Sequence, residues 1–262
     1  MLHKFLININ FTQSLNDYCF YFKVNDNLRI YIIIFVDDIM IAASNVNLLN
    51  DIKNLLMNKF KMKDLGILNM FLGMKFTFDD DLITIDQSKY IDKILTKFKM
   101  QDCNPRSIPC DNSIIKLVND DSNILSDVRL YQEIVGSLIY LMTCTRPDLS
   151  YVVTKLSQNM KSPTKAHLNL AKDVLRYVKG TIDYNLKFTK STCLTLIGYS
   201  DSDWGNSGDR KSISGYCFLL NVNGPLISWK SKKQSVVAIS SCEAEYIAMT
   251  HAIQEAKFSI YF

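Results

Sequence analysis

Long apolar runs are missing from this 262-residue chain. The longest, Ile30 to Val36 with Tyr31 counted, falls far short of the roughly 20 residues that a membrane-spanning helix needs. The opening "MLHKFLININF" lacks the sustained apolar stretch and the small-residue cleavage site of a secretory leader. An intracellular protein, in cytoplasm or nucleus and with no membrane partner, is therefore expected. Low-complexity tracts are absent, and the longest like-charge run is the three aspartates Asp79 to Asp81. With 48% apolar and 21% charged residues, a folded chain is expected, long enough for two or three cores. No C-x-x-C occurs among the seven scattered cysteines, which excludes a zinc ribbon and reads as reduced, mostly buried thiols. The three histidines, His3, His167 and His251, lie far apart, so no histidine chemistry is assigned.

What is present begins with "RIYIIIFVDDIMIAAS", an apolar run that enters and leaves two adjacent aspartates. Burying an ionised carboxylate costs several kcal/mol unless it is paired or binds a cation, and two side by side repel each other. Two readings fit. One is a plain β-hairpin with Ile30 to Val36 and Ile39 to Ala43 as strands and Asp37 and Asp38 solvated in the turn. The other is the same hairpin aimed at Mg²⁺ ions that clamp phosphates.

Periodicity divides the chain into three regions. In the first, a helix is expected from about Asn47 to Phe60, then two short strands around Asp79 to Asp81, then a helix with Ser88 as N-cap. "NPRSIPCDNS" breaks structure with two prolines. The second region reads as three helices. The first carries Leu130, Ile134, Leu138 and Leu141 and ends at "RPD"; Asp148 is expected to cap the next, and Gly180 to stop the third. Between Lys155 and Lys190 stand eight Lys or Arg against Asp173 and Asp183, a surplus larger than the +4 of the whole chain. Such a segment suggests a polyanion partner, and Lys172, Arg176 and Lys179 share one helix face at i, i+4 and i+7. A solvated face fits equally.

The third region reads as a strand to Asp201, a hairpin turning at Asn223-Gly224, and a helix from "ISSCEAEY" onward. Ser240 and Glu243 stand in the S-x-x-E relation of a capping box, which leaves Glu245 free to meet Asp201. A solvated helix end fits too, since acids suit the dipole there. Asp203 is a weaker extra candidate.

The strings "FVDDIMIAAS", "KFKMKDLGILNMFLGMKF", "QSKYIDKIL", "VGSLIYLMTCTRPDLSYVV", "AKDVLRYVKGT", "YSDSDWG", "SGYCFLL", "ISWKSKKQ" and "ISSCEAEYIAM" resemble, in this order, the C-terminal Pol segments of copia-type long-terminal-repeat retrotransposons. The resemblance covers nearly the whole chain. It implies an α+β protein: part of a reverse transcriptase palm with the start of the thumb over 1–110, a helical thumb and connection region over 111–190, and a truncated RNase H-like mixed sheet with a helix over 191–262. By the same resemblance, Asp37 and Asp38 hold Mg²⁺ for RNA-directed DNA synthesis, and Asp201 and Glu245 hold it for RNase H cleavage. Phe71, Leu72, Gly73 and Met74 resemble the hairpin that grips a primer end.

Phe35 stands where the family has tyrosine, and Cys242 where it has threonine. A palm of this type takes a further aspartate from an upstream strand, yet only Asp17 and Asp26 precede Asp37, in a segment that follows that strand in the family. RNase H likewise takes later aspartates. Both sites are thus expected to be incomplete, with RNA, DNA or their hybrid and other Pol segments as partners, and self-association through an open RNase H strand edge. The alternatives are a host-retained nucleic-acid-binding or assembly module without catalysis, and a decayed reading frame.

Overall fold

The computed structural model describes residues 1–25, 28–111, 124–191, 194–205 and 208–260. Asp26 and Cys193 lie outside them. The described chain mixes helices with antiparallel sheets, as an α+β class requires. Contacts divide it into the units Met1–Phe71 and Leu72–Ser259.

In the unit Met1–Phe71, four strands pair in sequence order: β1 (Thr12–Gln13), β2 (Phe20–Asn25), β3 (Leu28–Phe35) and β4 (Asp38–Ala43). Strand alternation sorts the isoleucine-rich β3: Ile30 and Ile32 are buried, while Tyr31 and Phe35 face outward. Helix α1 (Leu2–Asn8) contributes Leu6 to this core, and α2 (Val46–Lys59) contributes Ile52 and Leu56 at i, i+4. The Asn45 side chain caps α2 by accepting the Leu48 N–H at 2.9 Å.

The unit Leu72–Ser259 has a helical core. After β5 (Met70–Phe71), strands β6 (Met74–Asp79) and β7 (Leu82–Asp86) form a hairpin around the expected acidic turn, and β7 pairs also with β8 (Leu186–Thr189). This last pairing, and the burial of Ile91, Ile94 and Leu95 of α3 (Ser88–Lys97) in the helical core, place the division early in the chain. The core is completed by α4 (Arg129–Cys144), a 3-10 turn at Pro147–Leu149, α5 (Ser150–Ser157) and α6 (Lys165–Gly180).

Several helix ends differ from expectation. Ser88 is the first residue of α3 and not its cap; its N–H and hydroxyl both donate to Asp86. Gly180 is the last helical residue of α6, with Thr181 as C-cap. Asp148 caps nothing. It takes a two-pronged ion pair from the buried Arg146 guanidinium at 3.0 and 2.8 Å, while Arg146 also donates to the carbonyl and hydroxyl of Thr181. The six described cysteines are free, but Cys19 and Cys242 are exposed and the others only half-buried, because they fall on element edges and not on core stripes.

A third sheet has the order β11-β10-β9, built from β9 (Leu196–Asp203), β10 (Ile213–Leu220) and β11 (Leu226–Lys233). Helix α7 (Ser241–Ile260) covers one face, tied by Glu255, which accepts from Tyr216 and Ser228. The other face meets the helical core: the Trp229 indole donates to the Met142 carbonyl at 2.7 Å, and Thr154 to the Ser231 carbonyl.

Candidate metal and nucleic-acid sites

The turn between β3 and β4 lies one residue earlier than the sequence pattern predicts. Phe35 pairs with Asp38, so the two-residue loop is Val36-Asp37 and Asp38 opens the return strand. Val36 has φ 52°. A positive φ at the first loop residue alone belongs to a II′ turn, where glycine is usual, and a β-branched residue there is strained by about 1–3 kcal/mol. Both carboxylates are exposed and, among the described residues, have no hydrogen-bonding or cationic partner. The side chain of Val36 is 83% exposed, so no packing explains the strain.

Leu72 and Gly73 have φ of 49° and 73°, the pair of positive angles typical of an I′ turn. The Tyr140 hydroxyl of α4 donates to the Leu72 carbonyl, and a Cβ on Gly73 would stand 2.9 Å from that hydroxyl oxygen. The angle calls for glycine, and the nearby hydroxyl adds to the preference. Phe71 and Met74 flank this turn as β5 ends and β6 begins.

The cationic face of α6 is largely engaged. Arg176 donates to the Asn104 carbonyl at 2.7 Å and to Asp173 at 3.0 Å; Lys179 donates to the Cys103 carbonyl at 2.7 Å. Arg106 reaches Asp173 from the same linker. Among the described residues Lys172 has no such partner.

In the third sheet, alternation along β9 turns Asp201 and Asp203 to the face of the helical core and Ser202 to the face of α7. Asp203 accepts from Tyr151 at 3.3 Å, and this neighbour together with burial raises the Tyr151 pKa to about 12, burial being the larger cause. Burial pushes the Lys155 ammonium pKa down, and the Asp203 charge opposes that. Glu245 meets not Asp201 but Ser202: its Oε1 accepts the Ser202 hydroxyl at 2.8 Å and the Ser202 N–H at 3.2 Å. Ser202 was invisible as a site residue in the sequence, where only its place beside Asp201 pointed to it. The Ser240 half of the expected capping box forms, its hydroxyl accepting the Glu243 N–H at 3.1 Å, while the Glu243 carboxylate accepts from the Ile239 N–H at 2.6 Å, one residue before the expected amide.

Residues 1–112 match the family described as reverse transcriptase (RNA-dependent DNA polymerase). An uncharacterised mitochondrial protein of Arabidopsis thaliana is 39% identical, over 87% of this chain and 94% of that protein. The putative transposon Ty5-1 protein of Saccharomyces cerevisiae is 33% identical, over 97% of this chain and 82% of its own length. The retrovirus-related Pol polyprotein from transposon TNT 1-94 of Nicotiana tabacum is 35% identical over 96% of this chain, which spans only 19% of that polyprotein. No solved structure matches. Order of motifs, mixed architecture and these relatives agree, and the chain belongs to the Pol proteins of copia-type retrotransposons.

Proposed function

We propose that this chain is the part of a copia-type Pol protein that carries the acidic hairpin of a reverse transcriptase palm, a helical thumb and connection, and the opening strands and first helix of an RNase H-like domain. The observation that supports the polymerase reading is the hairpin tip, where a strained valine holds two unpartnered, exposed carboxylates outward. Strain kept at an exposed position with no packing gain is characteristic of functional sites. Carboxylate oxygens are the donors that Mg²⁺ prefers, so Asp37 and Asp38 fit as part of its ligand set. Bound there, Mg²⁺ would supply charge neutralisation at the phosphates of an incoming nucleotide.

Two carboxylates are fewer than a two-metal site uses. Among the described residues no group of three or more His, Cys, Asp or Glu side chains could hold a metal ion. In the proposed RNase H-like part the order β11-β10-β9 followed by α7 supports the reading, and Asp201 and Glu245 stand there as separate carboxylates, Glu245 engaged by Ser202 and not paired with Asp201. The reactions proposed for the longer protein are RNA-templated DNA synthesis and hydrolysis of RNA in a hybrid. The chain by itself is expected to bind RNA, DNA or hybrid without turnover. Incubated with a primed RNA template, nucleotides and Mg²⁺ or Mn²⁺, it should extend no primer; steady template-dependent extension that Asp37→Asn abolishes would show the site to be complete.

A further inference from the structure

Alternation along β11 sends its side chains to two different places. Trp229 meets the helical core, and Lys233 pairs with Asp209 at 2.9 Å. Ser228 donates to Glu255 and the Gln234 side chain to the Ala244 carbonyl, so the even-numbered residues face α7, which runs antiparallel to the strand. Lys230 and Lys232 stand between those two ties, beside His251 of the helix. Both lysines are exposed and, among the described residues, neither has an ion pair or a hydrogen bond. The His251 ring is half-buried, and its Nδ1 has no hydrogen-bond partner among the described residues. Three groups able to carry positive charge thus converge, and the crowding is felt. Burial first, then the Lys232 and Lys230 charges, push the His251 pKa down. The acids of α7 are engaged elsewhere: Glu243 by the Ile239 N–H, Glu245 by Ser202, and Glu255 by Tyr216 and Ser228. The Tyr216 hydroxyl, opposite Lys230 on β10, is pushed up to about 12, mainly by burial, and stays neutral.

We propose that Lys230 and Lys232, with His251 beside them, bind successive phosphates of one nucleic-acid strand. Two residues along an extended strand span roughly 7 Å, comparable with the step between neighbouring phosphates, so a linear polyanion can meet both ammonium groups in register. Like charges held together without an acid cost free energy that a polyanion relieves. The contrast with α6 points the same way. There Arg176 and Lys179 are already given to the carbonyls of Asn104 and Cys103, whereas at β11 no protein group has to be displaced. A phosphate beside the imidazole favours the protonated ring and so reverses the effect of the lysines on His251. The contact reads no sequence, because ammonium groups on phosphates carry no information about bases. This inference rests on the nucleic-acid binding proposed above and adds the place where the phosphates lie.

Fluorescence anisotropy of a labelled RNA–DNA hybrid, titrated with the full chain at several salt concentrations, tests it. Lys230→Gln combined with Lys232→Gln should weaken binding at low salt and make the log-log salt slope shallower by about 1.4–1.8, the equivalent of two phosphate contacts. Circular dichroism should stay unchanged, since both side chains are exposed. As pH falls from about 6.5 to 5.5, affinity of the unaltered chain should rise while His251 takes up its proton, and the rise should be smaller in His251→Gln. An unchanged salt slope in the double variant overturns the inference and leaves nucleic-acid binding in place; no binding to the hybrid at any salt removes both. An equal pH response with and without His251 places the phosphates away from this face and overturns it too. If the double variant loses binding to phosphatidylserine vesicles while its hybrid binding is intact, the patch serves a membrane surface and the proposal falls.

Discussion

Val36 is where a single residue says most about this molecule. Its φ of 52° costs about 1–3 kcal/mol for a β-branched residue, while glycine at the same place loses roughly 0.5–1 kcal/mol in chain entropy. Val36→Gly should accordingly stabilise the protein, on the order of 0.5 kcal/mol, seen as a raised urea midpoint. A lowered midpoint would mean that the valine side chain makes contacts that offset the strain. The sequence pattern gave no warning of this angle, because counting apolar residues assigns Val36 to the strand; only the pairing of Phe35 with Asp38 puts it in the loop. Arg146 was equally opaque. "RPD" reads as a helix stop, yet the guanidinium is 1% exposed and organises Asp148, Thr181 and Tyr177 around it. Long-range partners of that kind leave no local periodicity to read.

At the scale of elements, most helices and strands were legible from spacing, since α2, β6, β7, α4 and α6 each carry a clear apolar stripe or alternation. Their caps were not. Helix α6 begins at Thr164 with a capping box in which His167 takes the place usually held by Glu or Gln: its Nδ1 accepts the Thr164 N–H at 3.0 Å. That bond needs the nitrogen unprotonated, and burial pushes the His167 pKa down. The unfolded residue takes up its proton near pH 6.5 and the folded one at lower pH. Between those values the unfolded state binds more protons, so stability that is complete above pH 6.5 is lost as pH falls toward the folded value. His167→Gln keeps an acceptor and cannot titrate, so the slope of unfolding midpoint against pH between about 6.5 and 5 should be shallower in the variant. Parallel slopes would remove His167 from the cap's energetics.

For the molecule as a whole, net charge of +4 favours polyanions in general, and the cationic helix face is where the sequence suggests such a contact. The fold spends two of those three cations internally, on the carbonyls of Asn104 and Cys103. Affinity for an RNA–DNA hybrid should fall with salt at a log-log slope of about −0.7 to −0.9 per phosphate contact. Replacing Lys172, Arg176 and Lys179 together by alanine should reduce that slope by roughly one contact, not three. A loss of about three would show that the linker releases its cations to the ligand, and no change would exclude the face. What the sequence could not supply was this internal engagement of Arg176 and Lys179, since the linker's carbonyls come from residues 72 and 76 positions away in the chain.

Helix α7 turns three of its four alanines, Ala244, Ala248 and Ala252, into the protein and carries Tyr246, Met249 and Ile253 on its outside. In most surface helices bulk marks the interior; here it marks solvent. A substitution map of this helix would therefore look reversed. Adding one or two methylenes at Ala248 forces the sheet and helix apart, at a cost of about 1–3 kcal/mol, whereas trimming Tyr246 removes mostly hydrated surface. Tolerance along α7 follows size and not hydrophobicity, and its alanines, bland by composition, are the positions that change can least afford to touch.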